Sequence, residues 1–263
     1  MKALLKKELC LTRKLLLIWM GIVLLLCAFA YFEYLSLQEN LEELAGLIHA
    51  FPEILTIMAG ATEEMTSPMG WYGCIYYWVA ILVYSYAVYL GISCMVKEKT
   101  QGTAEYIFTK PVNRGQIVMA KIFASVCNLL VLTVFSGLCN YFASVRPLGG
   151  LENRGAAITT TMGMFLTTIV LFTLAFLVSS LSKTYKRTAL FGTGLLLGCY
   201  GVYIVAELLE FRLLYYFTPL KYFDVYTVAR EGISLIFLLL AAVITTLSVA
   251  IAKKMWIDRE IGI

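Results

Sequence analysis

Few side chains in this sequence have the types and spacing that catalysis requires. The single histidine, His49, cannot build a histidine-rich metal site, so we expect it at the surface or capping a helix. Glu63 and Glu64 form a carboxylate pair, but no histidine or arginine follows at a spacing that would complete an acid–base site. The seven cysteines occur singly without metal-ligand spacing, and no Gly-x-x-x-x-Gly-Lys-Ser/Thr motif is present. We therefore predict no catalytic residue, no metal site and no cofactor on this chain.

The composition indicates a chain that is solvated by lipid. Hydrophobic residues make up 60% of the chain and charged residues only 14%, whereas soluble domains carry about 25% charged residues. A helix needs about 20 apolar residues to cross the hydrocarbon core of a bilayer. Six runs reach this length: 15–37, 69–96, 122–145, 158–182, 189–209 and 233–252. We predict an all-α polytopic membrane protein, a single transmembrane domain over 1–263 with six transmembrane helices and no room for a soluble catalytic domain.

The charges divide unequally between the two sides of these six spans. With the N-terminus inside, the side of both termini holds 16 of the 21 basic residues but only 5 of the 17 acidic ones. Cytoplasmic segments of membrane proteins carry an excess of Lys and Arg. This pattern predicts a multi-pass protein of the plasma membrane with both termini in the cytoplasm. Because the basic residues are spread over four membrane-flanking segments, we expect no nucleic-acid partner.

Two segments outside the spans have a helical pattern. Residues 1–14 alternate leucines with basic residues, which predicts an amphipathic helix in the cytoplasmic lipid interface; the alternative is a disordered basic leader. The basic start resembles a signal peptide, but the apolar run continues to Leu37, which favours a retained first span. The acidic segment 38–68 has helical spacing interrupted at Pro52, so we predict two short helices on the outer membrane face.

The second span is rich in tyrosine. The tyrosines near its ends suit an aromatic girdle at the membrane interface. Tyr84 and Tyr86 lie deeper, where a phenol needs a hydrogen-bond partner. Together with Tyr77, they are candidates to line a pathway for an amphipathic substrate. Core packing with a local hydrogen bond is an equal alternative.

The fifth span carries glycines at a spacing that allows close helix packing. Gly194 and Gly198 form a small-xxx-small motif, and Gly201 follows almost one turn later. These glycines predict a packing interface, either within the chain or between two protomers. Glu207 and Glu210 end the same span, and we expect them to be solvated charges at the membrane boundary.

The segment 97–121 is a long polar interruption between the second and third spans. A loop that only reverses the chain needs a handful of polar residues, whereas this segment has its own helical pattern. Thr100–Thr109 predicts a short helix that ends at Pro111, because the proline ring removes an N–H and disfavours helix in the preceding residue. Asn113 can cap a second helix that leads into the third span. We predict a helix–turn–helix elbow that faces a soluble partner in the cytoplasm.

The elbow resembles the loop after the second span in permease subunits of the ABC-2 type exporter family. That loop reads, roughly, Glu-x-x-x-Gly-Thr-x-Glu, then Pro-Val/Ile-x-Arg and a lysine that enters the third span. The matching residues are Glu98, Gly102, Thr103, Glu105, Pro111, Val112, Arg114 and Lys121. The basic N-terminus, the six spans and the stretch 218–224 extend the resemblance over nearly the whole chain. The short outer segment and the lack of an ATPase domain in this sequence are similar to the compact bacterial members.

The resemblance implies a division of labour between subunits. Coupling helices would seat six elbow residues in a groove of a separate cytoplasmic P-loop ATPase: Glu98, Gly102, Thr103, Glu105, Pro111 and Arg114. Two permease chains, as a homodimer or a heterodimer, and two ATPases that bind ATP and Mg²⁺ would form one exporter. Its substrate would be amphipathic, such as a peptide, a drug or a lipid-like molecule.

Two other classes of function remain as alternatives. A secondary transporter or channel that needs no ATPase would carry inverted repeats or charged residues at mid-membrane, and the sequence has neither. A polytopic membrane enzyme is disfavoured, since the chain lacks a histidine cluster and catalytic carboxylates. We therefore expect a transport subunit in the membrane lipid without an activity of its own.

Overall fold

The computed structural model describes residues 2–37, 46, 51–60, 67–100, 114–145, 154–182 and 184–257. Of the structure, 92% is helical, and the described residues form no strand. The predicted all-α class is therefore confirmed.

The described residues form nine α-helices. In chain order they are α1 (Lys2–Leu37), α2 (Glu53–Ala59), α3 (Pro68–Thr100), α4 (Arg114–Asn140), α5 (Arg154–Leu181), α6 (Tyr185–Leu208), α7 (Pro219–Tyr222), α8 (Val225–Glu231) and α9 (Leu235–Ile257). A π-helical turn, Tyr141–Val145, continues α4, and a 3₁₀ turn, Arg212–Tyr216, precedes α7. Among the described residues, α1, α3, α4, α5, α6 and α9 are long and apolar enough to cross a membrane. The predicted number of six spans is confirmed.

The first helix joins two segments that the sequence suggested as separate. Helix α1 is continuous from Lys2 to Leu37, so the predicted interfacial segment 1–14 continues into the first span. At 1.5 Å per residue, its 36 residues extend over about 54 Å, against about 30 Å of hydrocarbon core. At ordinary helix tilts, part of α1 therefore extends past the hydrocarbon.

Helices α3, α4 and α5 form the centre of the bundle. Over the most apolar part of each, 67%, 56% and 61% of the residues are buried, against 17% for each of α1, α6 and α9. Helix α1 packs on α3 and α4, α6 packs on α3 and α5, and α9 packs on α5. The outer three helices expose leucine, isoleucine and phenylalanine. Such surfaces suit helices that face lipid or another membrane protein.

A close approach of two backbones joins α3 to α5. A Cβ atom built on Gly91 would lie 2.7 Å from the carbonyl oxygen of Phe172 and 2.9 Å from the amide nitrogen of Phe176. Nearby, Ser179 Oγ donates a hydrogen bond to the carbonyl oxygen of Ile92 at 2.9 Å. Small residues at such crossings let helices pack tightly in a bilayer, where lipid tails solvate apolar side chains as well as a neighbouring helix does.

Short helices cover the end of the bundle at which α1 ends and α3 begins, which we call the loop end. Helix α2 begins directly after Pro52 and is capped at its C-terminus by Gly60, whose φ of 74° is left-handed and whose amide donates to the carbonyl of Ile57. The 3₁₀ turn, α7 and α8 connect the fifth and sixth spans and fold back onto α3, α5 and α6. These connections bring distant parts of the sequence together at the loop end.

Candidate functional site

A cavity of about 420 Å³ lies at the loop end, between α3, α6 and the α7–α8 connection. Cavities that hold drug-sized ligands measure about 300–1,000 Å³. Six tyrosines line it: Tyr76, Tyr77, Tyr84, Tyr200, Tyr203 and Tyr226. Most of the remaining lining is apolar, so the cavity is an aromatic chamber with hydroxyl groups on its wall.

The cavity opens at the side of the bundle. Two of its lining residues, Trp78 on α3 and Leu197 on α6, are 46% and 64% exposed. Because these two helices neighbour each other, the opening lies between them, on the surface that faces lipid or another subunit.

Three tyrosine rings on two helices form a cluster in the wall. The ring centroids of Tyr77 and Tyr200 are 6.1 Å apart, those of Tyr77 and Tyr203 are 6.3 Å apart, and those of Tyr200 and Tyr203 are 6.4 Å apart. Tyr77 Oη donates a hydrogen bond to Tyr200 Oη, which donates to the carbonyl oxygen of Met58 at 3.2 Å. This relay ties α3, α6 and α2 together and fixes the cluster.

Two glycines make room for the rings. A Cβ atom on Gly73 would collide with the ring of Tyr226, and a Cβ atom on Gly60 would lie 2.6 Å from the ring of Tyr77. Tyr226 Oη also donates to the carbonyl oxygen of Gly60 at 3.0 Å. The two glycines therefore determine where the rings of Tyr77 and Tyr226 lie in the cavity wall.

Asp224 brings a negative charge to the wall. Its Oδ2 accepts hydrogen bonds from the Thr227 amide at 3.2 Å and from Thr227 Oγ1 at 3.1 Å, so it caps helix α8. Its Oδ1 lies 3.6 Å from Lys221 Nζ. None of the other described residues that line the cavity is ionisable to a charged form near pH 7.

Lys221 lies behind the wall and is held by two carboxylates. Its ammonium pairs with Glu207 as well as with Asp224, and it lies 5.9 Å from the ring centroid of Tyr203 and 5.2 Å from that of Tyr215. Burial lowers the pKa of Lys221, but the two carboxylates more than offset this and raise the pKa above its usual value. The lysine is therefore protonated at physiological pH.

The expectation that Glu207 is a solvated boundary charge was wrong. Only 20% of its side chain is exposed, and it forms an ion pair with Lys221. The cause is the α7 segment, which folds back onto the end of α6 and brings the lysine beside the carboxylate. Neither residue carries a local signal of this pairing in the sequence.

The three tyrosines predicted to line a pathway are distributed over two faces of α3. Tyr77 and Tyr84 both line the cavity, since seven residues are close to two helical turns. Tyr86 lies on the other side of the helix, where it is fully buried and its ring centroid is 5.6 Å from that of Trp19 on α1. Its packing role corresponds to the alternative of core packing, although no partner for its hydroxyl is found among the described residues.

The predicted packing glycines of α6 do not contact the rest of the described chain. A Cβ atom on Gly194, Gly198 or Gly201 would have no atom within 4 Å. The internal contact is made by Gly192, where a Cβ atom would collide with the side chain of Ile92 on α3. Of the two interpretations left open by the sequence, the described residues therefore give no support to packing within the chain.

Most of the predicted elbow lies outside the described residues. This holds for Gly102, Thr103, Glu105 and Pro111. Glu98 lies in the last turns of α3 and Arg114 begins α4, but the placement of their side chains is also outside the described part. The elbow therefore connects two helices of the bundle centre, and its docking role stays a prediction.

Lys121 closes the elbow and is described. Its side chain is buried on α4, and its Nζ lies 3.4 Å from Glu8 Oε1 on α1. Two turns further along α4, Asn128 Nδ2 donates a hydrogen bond to Thr12 Oγ1 at 2.7 Å. We call these two contacts the α1–α4 clasp. It fastens the N-terminal turns of the chain to the helix that leaves the elbow.

A bundle of six apolar helices of spanning length defines a polytopic membrane protein, and its cavity has the size of a ligand site. Within the described residues, no three His, Cys, Asp or Glu side chains are close enough to hold a metal ion. The family described as ABC-2 family transporter protein matches residues 2–255. Since the match covers nearly the whole chain, the protein belongs to the ABC-2 transporter family, as the elbow motif predicted. A search of curated proteins gives no match.

Proposed function

We propose that this chain is the permease subunit of an ATP-driven exporter and that separate P-loop ATPase subunits bind ATP and Mg²⁺. The observation that carries the proposal is the family match over residues 2–255, together with six spans in one bundle. The chain itself has no P-loop motif. Its own contribution is then to bind the substrate and to move when the ATPases close.

A single helix joins the proposed ATPase contact to the cavity. Glu98 and Tyr77 both belong to α3, and at 1.5 Å per residue they lie about 32 Å apart along its axis. A displacement of the elbow by the ATPase would therefore move the cavity wall through one rigid element. The α1–α4 clasp would make α1 follow the same movement.

A second permease chain fits the glycine face of α6. Gly194, Gly198 and Gly201 are exposed, and Leu197 lies on the same face at helical spacing. Because Leu197 also lines the cavity mouth, a chain docked here would border the mouth on its α6 side, while Trp78 on α3 would keep the other side open to lipid. The substrate pathway of the exporter would then run between the chains.

Coupling to an ATPase is tested by reversing a charge in the elbow. We expect Glu98→Lys to lower the vanadate-sensitive ATPase activity of the co-purified complex at least tenfold, because a like-charge contact in a docking groove costs on the order of several kcal/mol. Arg212→Glu is the matched control, since this charge reversal changes an exposed side chain at the loop end. Activity is measured on complexes purified from membranes through a tag on the permease.

Two results would contradict the coupling proposal. One is full ATPase activity in the Glu98→Lys complex with the control unchanged. The other is substrate transport by the chain alone in liposomes without any ATPase, which would favour the secondary transporter or channel.

Pairing of two chains is tested on the glycine face. We expect Gly198→Leu to reduce the co-purification of two differently tagged copies by at least fivefold, because a bulky side chain holds two helices apart at a small-xxx-small contact. Gly21→Leu on α1 is the control, since a Cβ atom there also has no atom within 4 Å. Equal co-purification of wild type and Gly198→Leu would show that this face is not the interface.

A further inference from the structure

We propose that the loop-end cavity binds a hydrophobic organic cation, a ligand that carries a delocalised positive charge inside an aromatic or aliphatic body. The inference rests on the proposed transport function and names the substrate class of that same site. It is carried by three properties of the cavity: its aromatic wall, the sign of its charge and its opening toward the membrane.

The wall is built of groups that attract a cation. Six tyrosines, Trp78 and Phe223 line the cavity. The faces of aromatic rings carry partial negative charge, and a desolvated cation above such a face is stabilised by on the order of 2 kcal/mol. The structure already contains this interaction, because the ammonium of Lys221 lies 5.9 Å from the ring centroid of Tyr203.

The charge of the wall is negative. Asp224 contributes a carboxylate to the lining. Within the part of the chain that the structure describes, Lys221 pairs with Asp224, but Lys221 also pairs with Glu207. The formal charges of Lys221, Glu207 and Asp224 therefore sum to −1. This charge favours a cation in the cavity and disfavours an anion.

The apolar part of the wall excludes small hydrated ions. A metal ion or a free ammonium would lose its water shell here and gain one carboxylate and a few hydroxyl groups in return. A large cation with dispersed charge is weakly hydrated and loses little by entering. The volume of about 420 Å³ lies in the range that holds drug-sized molecules.

The opening suits a ligand that arrives through the membrane. Trp78 and Leu197 line the mouth and are exposed on the surface of the bundle between α3 and α6. Hydrophobic cations partition into bilayers and meet the protein from this side. The ligand would then pass from lipid to the tyrosine cluster without crossing a charged surface.

The test compares two ions of nearly the same shape and opposite charge. Tetraphenylphosphonium and tetraphenylborate are titrated separately into the purified full-length chain, and binding is measured by isothermal calorimetry without ATP. We expect saturable binding of one tetraphenylphosphonium per chain, at least tenfold tighter than any binding of tetraphenylborate. Equal or tighter binding of tetraphenylborate would overturn the proposal, and this comparison requires no variant to fold.

Two variant pairs assign the effect to the cavity. Asp224→Asn keeps a residue that caps a helix well but removes the charge, and we expect it to weaken tetraphenylphosphonium binding about tenfold. Glu231→Gln makes the same chemical change on the exposed end of α8 and should have no effect. Tyr200→Leu removes a ring and should weaken binding more than Tyr200→Phe, which keeps the ring. Equal affinity in Asp224→Asn and Glu231→Gln would overturn the proposed role of the charge.

The experiment separates the ligand class from the transport function. If tetraphenylphosphonium binds and the cavity variants lower its affinity, the proposed ligand class is supported, even if Glu98→Lys leaves the ATPase activity unchanged. If ATPase coupling depends on Glu98 but tetraphenylphosphonium fails to bind, the transport function stands and the ligand class is wrong.

Discussion

Gly91→Leu is expected to prevent the chain from folding into a monodisperse bundle, and Gly91→Ala to destabilise the bundle measurably. The cause is the crossing of α3 and α5, where a Cβ atom on Gly91 would lie 2.7 Å and 2.9 Å from backbone atoms of Phe172 and Phe176. A side chain can relieve a clash by changing its rotamer, but backbone atoms cannot. The two helices must therefore separate. Overpacking of this kind costs about 1–3 kcal/mol for a small added group, and more for leucine.

The measurement is the unfolding temperature of the purified chain in detergent, followed by size-exclusion chromatography after heating. Gly21→Ala is the matched control, because a Cβ atom on Gly21 has no atom within 4 Å. The control should be neutral or slightly stabilising, since alanine favours a helix over glycine by about 1 kcal/mol in water. If Gly91→Ala unfolds at the same temperature as the control, α3 and α5 do not cross as described.

Glu8→Gln is expected to loosen α1 from α4 and to lower the free energy of unfolding by about 3 kcal/mol. Lys121 is only 7% exposed, and its Nζ lies 3.4 Å from Glu8 Oε1. Removing the carboxylate leaves a buried ammonium without this counter-charge. Removing one partner of a buried ion pair costs more than replacing both, so Glu8→Gln combined with Lys121→Gln should recover part of the loss.

A double-mutant cycle on this ion pair gives the interaction energy directly. Lys7→Gln is the control for the Glu8→Gln variant, because Lys7 is exposed and lies next to Glu8 on α1. If Glu8→Gln combined with Lys121→Gln loses as much free energy of unfolding as Glu8→Gln alone, the two charges are not coupled. In the complex with the ATPase, the same variants would test whether α1 follows α4 when the elbow moves.

The fold followed from local properties of the sequence. Apolar runs of span length predicted six membrane helices, and all six are found. Helix α2 begins at Glu53, directly after the proline at which the helical spacing breaks. Hydrophobicity and helical period are properties of neighbouring residues, so they can be determined without knowing what each helix contacts.

The candidate site was only partly predictable. Of the three tyrosines predicted to line a pathway, Tyr77 and Tyr84 line the cavity and Tyr86 does not. Tyr200 and Tyr203 were not singled out, because nothing in the sequence shows that α6 packs beside the cavity-lining face of α3. The same holds for Asp224, whose position depends on the return of the α7–α8 connection.

The sequence by itself determined the class of the protein, the number of its spans and its family. Composition, the length of the apolar runs and the elbow motif can all be recognised without knowing the tertiary contacts. The tertiary structure decided which faces meet: that Gly91 and Gly192 pack inside while Gly194 and Gly198 stay exposed, and that Glu207 pairs with Lys221. The physical reason is that lipid solvates apolar side chains on every face of a span. Hydrophobicity therefore does not distinguish a helix face that packs against another helix from one that faces lipid. Close packing and ion pairing determine which face is packed, and both depend on the three-dimensional structure.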